Sequence, residues 1–220
     1  MTSVTRAEVI YQALRRDVLA GRFLPGDRLR FADLCERYAA SMGVLREGLS
    51  RLVEQGLVTT EPQHGFRVAE LSEADLVDLT HARVTLEAMV LREAIAHGDL
   101  AWEARLVATQ HMLERIPMAQ GDDPRVVGEE WTAAHASYHS ALLDGCPNTR
   151  LRGIVVALRD SAELYRRWSQ RLDESGRRDV ADEHAQIVEA TLARDADRAV
   201  ELLVGHIQRT SDILLATRPG

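Results

Sequence analysis

SMGVLREGLSRLVEQGLVTTEPQHGFRV, residues 41–68, carries the densest pattern in this 220-residue chain. Val44, Leu45, Leu49, Leu52 and Val53 recur at three- and four-residue steps, which gathers them into one apolar stripe of a helix. Arg46 and Arg51 lie off that stripe and reach outward. Gly56 stands where a helix stops on a residue of positive φ. Two short β-type runs follow, Leu57 to Thr60 and Phe66 to Val68, joined by Glu61-Pro62-Gln63-His64-Gly65. A helix leading straight into a small two-stranded wing is how a winged helix-turn-helix meets a DNA groove. An ordinary amphipathic helix followed by a hairpin would leave the same pattern.

Upstream, Val4 to Ala20 reads as a first helix, with Val9, Ala13, Leu14 and Leu19 giving a broken apolar stripe. Leu24-Pro25-Gly26-Asp27 is a turn. Leu29 to Tyr38 reads as a second, short helix, and Ala39-Ala40-Ser41 leads tightly into the third, with Ser41 as its N-cap. Three short helices and a wing make a tri-helical DNA-binding architecture. Downstream, Glu70-Leu71-Ser72 marks a boundary, with Ser72 and Asp75 spaced as a cap. A long helix then runs to about His97. Further helices are expected at about 100–119, 125–144, 149–173, 178–193 and 197–216, separated by Gly-, Pro- and Asp-rich punctuation. The fold expected is mainly α: a winged helix-turn-helix over residues 1–70, then an all-helical bundle of six or seven helices over 71–220.

Composition agrees with a globular protein: 45% of residues are hydrophobic, 28% charged and only 5% aromatic. All 27 basic side chains are arginine, against 34 acids, for a net charge of −7. Residues 1–70 hold ten Arg and nine Asp or Glu, whereas 71–220 hold seventeen and twenty-five, so the halves carry about +1 and −8. Only the first half can approach a polyanion without repulsion. Cys35 and Cys146 form no CxxC pair, which fits a reduced, intracellular protein. The N-terminus lacks a signal-peptide pattern, and the longest apolar run, Ile154 to Leu158, is too short to span a bilayer. A cytoplasmic protein with no membrane partner is expected.

Four histidines fall on the late helices. His135 and His139, at i and i+4, share one helix face. His184 and His206 fall in the middle of the last two helices, which a short turn would bring level. Imidazoles converging from three helices suit a divalent metal, zinc first, with nickel or iron as alternatives. A lone helical histidine is otherwise an ordinary core or surface residue.

The order LPGDRL, FADLCERY, SMGVLREGLSRLVEQGLV and EPQHGFRV resembles the GntR superfamily of bacterial transcription regulators over roughly residues 5–69. Its motif has a serine-led recognition helix with an arginine-glutamate-small-leucine core, here Arg46-Glu47-Gly48-Leu49, and a wing glycine, here Gly65. The family usually follows the serine with polar residues, where this chain has Met42, Gly43 and Val44. The resemblance implies that Arg46 reads base edges and that Ser41 and the helix-start amides meet a phosphate. Arg30, Arg51, His64 and Arg67 are placed to neutralise backbone charge or enter the minor groove beside the wing. For Arg51, an intramolecular pair with Glu47 or Glu54 is the competing assignment.

The second half resembles the helical FCD ligand domain of the FadR-type branch. Its signatures are Arg83 and Glu87 on the first helix, Tyr138-His139 before Pro147-Asn148, and His184 and His206 on the final two helices. Metal-binding members place an aspartate where this chain has His135. The resemblance implies a metal held by His135, His139, His184 and His206, whose open positions receive a small carboxylate. Arg83 and Glu87 would serve the effector, Arg83 clamping a second carboxylate, with Tyr165, Arg166 and Trp168 on a helix lining the pocket; a structural ion pair with Glu87 is the competing assignment for Arg83. The function expected is a homodimeric transcription regulator, a repressor, that reads a palindromic operator in double-stranded DNA. A hydroxy acid or dicarboxylate would control it. A metalloenzyme is the rival class. The chain has no HExxH, and no bundle histidine has Glu three residues before it, so neither a zinc-protease helix nor a di-iron bundle is written here. A third possibility is a DNA-binding protein with structural histidines and no metal.

Overall fold

A computed structural model describes residues 5–61, 65–70, 72–118, 127–169 and 179–216. The N-terminal head contains α1 (Arg6–Leu19), β1 (Arg28–Leu29), α2 (Phe31–Tyr38), α3 (Met42–Glu54), β2 (Val58–Glu61) and β3 (Gly65–Val68). Thr5 opens α1 by accepting from the Glu8 amide at 3.2 Å. The apolar stripe read from sequence is the packed one: Leu45, Leu49 and Leu52 are fully buried, together with Leu14 and Val18 of α1. Gly48 lets α1 and α3 cross closely, since a Cβ there would sit 3.0 Å from Leu14 Cδ1 and 3.5 Å from the Tyr11 backbone. Gly56 takes φ +72° where α3 gives way to the wing, as its position implied.

One element differs from expectation. Arg28 and Leu29 form an edge strand rather than the start of α2, pairing antiparallel with β3 (Arg28 with Arg67, Leu29 with Phe66). The sheet therefore has three strands, ordered β1-β3-β2. The Leu24–Asp27 turn accounts for this. It lies against the end of β3, with the Gly26 amide bonded to the Val68 carbonyl and the Val68 amide to the Asp27 carbonyl, which lays the next two residues along that strand. Helix α2 begins only after Arg30, which stays extended at the N-cap.

The second half holds α4 (Glu73–His97), α5 (Leu100–Arg115), α6 (Glu129–Leu143), α7 (Thr149–Ser169), α8 (Val180–Leu192) and α9 (Ala196–Ala216). Ser72 caps α4 through the Asp75 amide, and Asp99 and Asp179 cap α5 and α8 in the same way. The core is a leucine- and alanine-rich interior centred on Trp102 and Tyr138, both about fully buried. Trp102 satisfies its indole N–H on the Ala141 carbonyl at 2.8 Å. Helix α4 packs on α9 and α7, α5 on α6 and α8, and α8 on α9. Among the described residues no helix is long and apolar enough to cross a membrane.

The two halves touch along α7. Arg15 of α1 holds Asp160 through a two-point ion pair, Ser161 donates to the Gln55 carbonyl at 3.1 Å, and Leu164 is buried in the head's own apolar cluster.

Candidate functional site

The four histidines meet inside the bundle. One ring nitrogen from each of His135, His139, His184 and His206 can be chosen so that all lie within 4.8 Å of one another. Helix periodicity stacks His135 and His139 on α6, with Nε2 atoms 3.1 Å apart. The tight α8–α9 connection brings His184 and His206 level, with ring centroids 4.8 Å apart and each about 5 Å from His139. His139, His184 and His206 are buried and His135 is half-buried.

Burial pushes the His135 imidazole well below its ordinary pKa, and the Arg166 guanidinium adds to that shift. For His139 burial again comes first, followed by the neighbouring imidazole of His135. Both rings are neutral near pH 7, so their lone pairs are available. The buried Nδ1 of His139 has no hydrogen-bond partner. Zinc bonds to imidazole nitrogen at about 2.0–2.1 Å, which separates tetrahedral donors by about 3.3 Å. The observed spread needs only small ring reorientations to reach that, so the donor set fits a divalent metal that prefers neutral nitrogen.

Neighbouring side chains orient these rings. Glu183 Oε2 lies 2.7 Å from His206 Nδ1, and Arg209 Nε donates to the other carboxylate oxygen at 2.8 Å. Trp131 stacks on His135 at 4.7 Å between centroids, and the Arg166 guanidinium lies over Trp131 at 5.2 Å. Tyr138 donates to the His184 carbonyl at 3.2 Å.

A cavity of about 830 Å³ opens beside this cluster, with His135, His139, His206, Arg83, Arg159 and Arg166 in its wall. Arg83 is where the sequence placed it, but its Nε donates to Glu87 at 2.8 Å. Glu87 is fully buried and also receives Arg159 through Nε at 2.8 Å and Nη2 at 2.6 Å. Burial opposes the charge on Glu87, but Arg159 and Arg83 together outweigh it and hold the carboxyl below its ordinary range. Arg159 also donates to the His139 carbonyl, tying the ion cluster to the histidine helix. Glu87 therefore braces arginines instead of facing the cavity.

The effector role expected of Tyr165 meets a different placement. It is not part of the cavity wall, and its hydroxyl donates to Asp75 at 2.6 Å and accepts from the Ser72 amide at 3.2 Å, fastening α7 to the start of α4. Arg166 does reach the wall.

Sequence reasoning missed Arg159, Glu183, Trp131 and Asp160. Trp131 precedes His135 by one turn and Glu183 precedes His184 directly, so both were within reach of a helical-wheel reading. Arg159 meets Glu87 across 72 residues, for which no local signal exists.

On the head, Ser41 is the extended N-cap of α3 but makes no side-chain cap bond. Arg46 is exposed, its guanidinium 5.1 Å over the Phe31 ring, and Arg30 is exposed at the start of α2. Arg51 pairs with Glu8 at 2.7 Å, not with Glu47 or Glu54, and lies 3.6 Å over Tyr11. Arg67 is held by Glu61 at 2.7 Å and by the Gly26 carbonyl. Gly65 is exposed at the start of β3, and His64 lies outside the described residues.

Comparison with known proteins matches the model of bacterial regulatory proteins, gntR family, to residues 6–68 and that of the FCD domain to residues 78–209. The HTH-type transcriptional repressor GlaR of Escherichia coli (strain K12) is 38% identical over 213 residues, covering 96% of each chain. The HTH-type transcriptional regulator BphR of Paraburkholderia xenovorans (strain LB400) is 36% identical over 207 residues, covering 94% of this chain and 84% of that protein. The solved structure of E. coli McbR/YncC shares the fold with a TM-score of 0.81 at 20% identity, covering 98% of this chain and 99% of that one. With its reading head, its helical ligand-domain half and these relatives, the chain belongs to the GntR family of bacterial regulatory proteins with an FCD domain, and it is a transcription regulator, not an enzyme.

Proposed function

We propose that the protein is a cytoplasmic repressor whose operator affinity is set by a small carboxylate bound at a metal in the FCD domain. The observation that carries this is a cluster of four imidazoles, three of which, His135, His139 and His206, open onto a cavity that α1 of the head also borders. His135, His139, His184 and His206 would hold the metal, with zinc the best match and nickel or iron the alternatives. When bound, the metal would supply a Lewis-acidic centre that a hydroxy acid or carboxylate oxygen reaches by expanding the coordination beyond the four imidazoles. Glu183 fixes the tautomer and orientation of His206, and Trp131 fixes the plane of His135. Arg83, braced by Glu87, adds positive potential to the cavity wall.

We divide the chain into a DNA-binding head over 1–70 and an effector domain over 71–220. The protein acts as a homodimer, because two recognition helices match a palindromic operator. On each head Arg46 reads bases and Ser41 takes a phosphate, while Arg30 meets the backbone. Gly65 and Arg67 lie on the wing and Arg51 at the end of α3, the two arginines engaging DNA only by exchanging their present carboxylate partners. The repressor name of GlaR, a relative, supports the sign of the response.

Metal analysis of purified protein, paired with gel shifts on its own promoter, tests the reading. Wild type is expected to carry about one metal per chain and to release DNA on addition of a particular organic acid. The variant His184→Ala/His206→Ala should lose metal and response together. Stoichiometric metal retained in that variant would show that these histidines are not the ligands.

A further inference from the structure

We propose that the head completes the effector cavity, with Arg16 of α1 receiving a second carboxylate, so that the effector is a linear α,ω-dicarboxylate bridging the two halves. This inference rests on the carboxylate-sensing reading above and narrows it.

The cavity that His135, His139 and His206 border on the bundle side is bordered by Arg15, Arg16 and Leu19 of α1 on the other. The remaining arginines of the wall already have carboxylate partners. Arg83 and Arg159 share the buried Glu87, Arg166 holds Glu163 at 2.7 Å, and Arg15 holds Asp160 at 3.2 Å. Of the wall's four acids, Asp160 and Glu163 are thus engaged, Glu129 faces Arg22 at 3.5 Å, and Glu130 is exposed to solvent. Arg16 is the arginine of this wall, among the described residues, with no carboxylate partner, and it is exposed at the rim. Its place in the last turn of α1 gives it an ordinary stabilising role toward the helix dipole. That role explains a cation in this turn and uses none of the guanidinium's five donors, which are arranged to take a carboxylate side-on.

Much of the wall is apolar, with Leu19, Leu76, Leu79, Ile207 and Leu214 among its residues. A polymethylene chain lies favourably on such a surface, whereas a short hydroxy acid would leave it wet. A volume of about 830 Å³ is also that of a site for a larger ligand, within the usual range of about 300–1,000 Å³. Polar ends and a greasy middle are the chemistry of a diacid. Because one end would be held by the bundle and the other by α1, occupancy would act on the head directly.

Calorimetric titration of the zinc-supplemented protein with linear diacids from butanedioate to decanedioate, and with the matching monoacids, provides the test. Wild type should bind a diacid of one preferred length about tenfold more tightly than its monoacid counterpart. Arg16→Ala should reduce that ratio to about twofold or less, and Arg16→Lys should keep part of it. Thermal melts of both variants establish that they fold. An undiminished diacid-to-monoacid ratio in Arg16→Ala overturns the proposal, as does a wild type that does not distinguish the two series. In the latter case monoacid binding would leave the broader carboxylate reading standing. Absence of binding by every acid in either series would sink both.

Discussion

Glu87 shows how one buried charge can fix a site it does not enter. Its carboxylate is fully enclosed and stabilised by two guanidiniums, and one of those, Arg159, also grips the carbonyl of His139. Removing the negative charge leaves two cations facing each other without their counter-ion. Glu87→Gln should therefore destabilise the fold by about 3–5 kcal/mol in chemical denaturation, the usual cost of breaking a buried pair. The pH sign follows from the depressed pKa: Glu87 contributes its full stability above the unfolded value of 4.5 and loses it as pH falls through the lower folded value. Acid melts of wild type should steepen below that point, and those of Glu87→Gln should steepen less. On the head, Arg46 is exposed with its guanidinium over the face of Phe31, so Arg46→Ala should change stability little. It should weaken operator binding by at least about tenfold in a gel shift. Unaltered operator affinity would remove Arg46 from the readout. The histidines were legible in part from spacing, since four residues put His135 and His139 on one helix face and a short turn can bring His184 and His206 level, while the family resemblance joined them into one set. Arg159 was not, because its partnership is written nowhere near it in the chain.

The cap at Ser72 and the Gly-, Pro- and Asp-rich punctuation between helices located α4, α5 and α8 to within a few residues. The two-residue strand β1 was invisible, since two residues have no period and its pairing partner lies 39 positions on. The turn between α8 and α9 is held by an unusual residue. Arg194 adopts φ +58°, a conformation that costs a side-chain-bearing residue about 1–2 kcal/mol, and its guanidinium reaches the Ile95 and Gly98 carbonyls and Glu103. Arg194→Gly would relieve the backbone but forfeit three bonds, each worth about 0.5–1.5 kcal/mol. The losses exceed the relief, so a net destabilisation of about 1 kcal/mol is expected in a urea titration. A stabilised variant would mean that the turn is governed by backbone preference alone. The same turn levels His184 with His206, which makes its rigidity part of the histidine cluster's geometry.

At the scale of the whole molecule, α7 serves both halves at once. Arg159 faces the ion cluster of the bundle, while its neighbour Asp160 faces α1 and is bound by Arg15. Asp160→Asn should weaken that tie without emptying the histidine cluster. Hydrogen exchange of the α1 amides should then accelerate severalfold with α4–α6 unaffected, and unchanged exchange would show that apolar contact alone seats the head. This adjacency could not be read from the sequence, because a helical pattern gives each residue a face but does not say which neighbour covers it. A practical consequence follows from Leu164, whose side chain is 6% exposed and packed into the leucine cluster of the DNA-reading module. Cutting the gene after the wing would strip that plug away and bare a greasy socket, at a cost of about 1.5–3 kcal/mol for the lost leucine. A severed module would be prone to self-association, and operator measurements made on it would describe a damaged object. Footprinting belongs on the intact polypeptide.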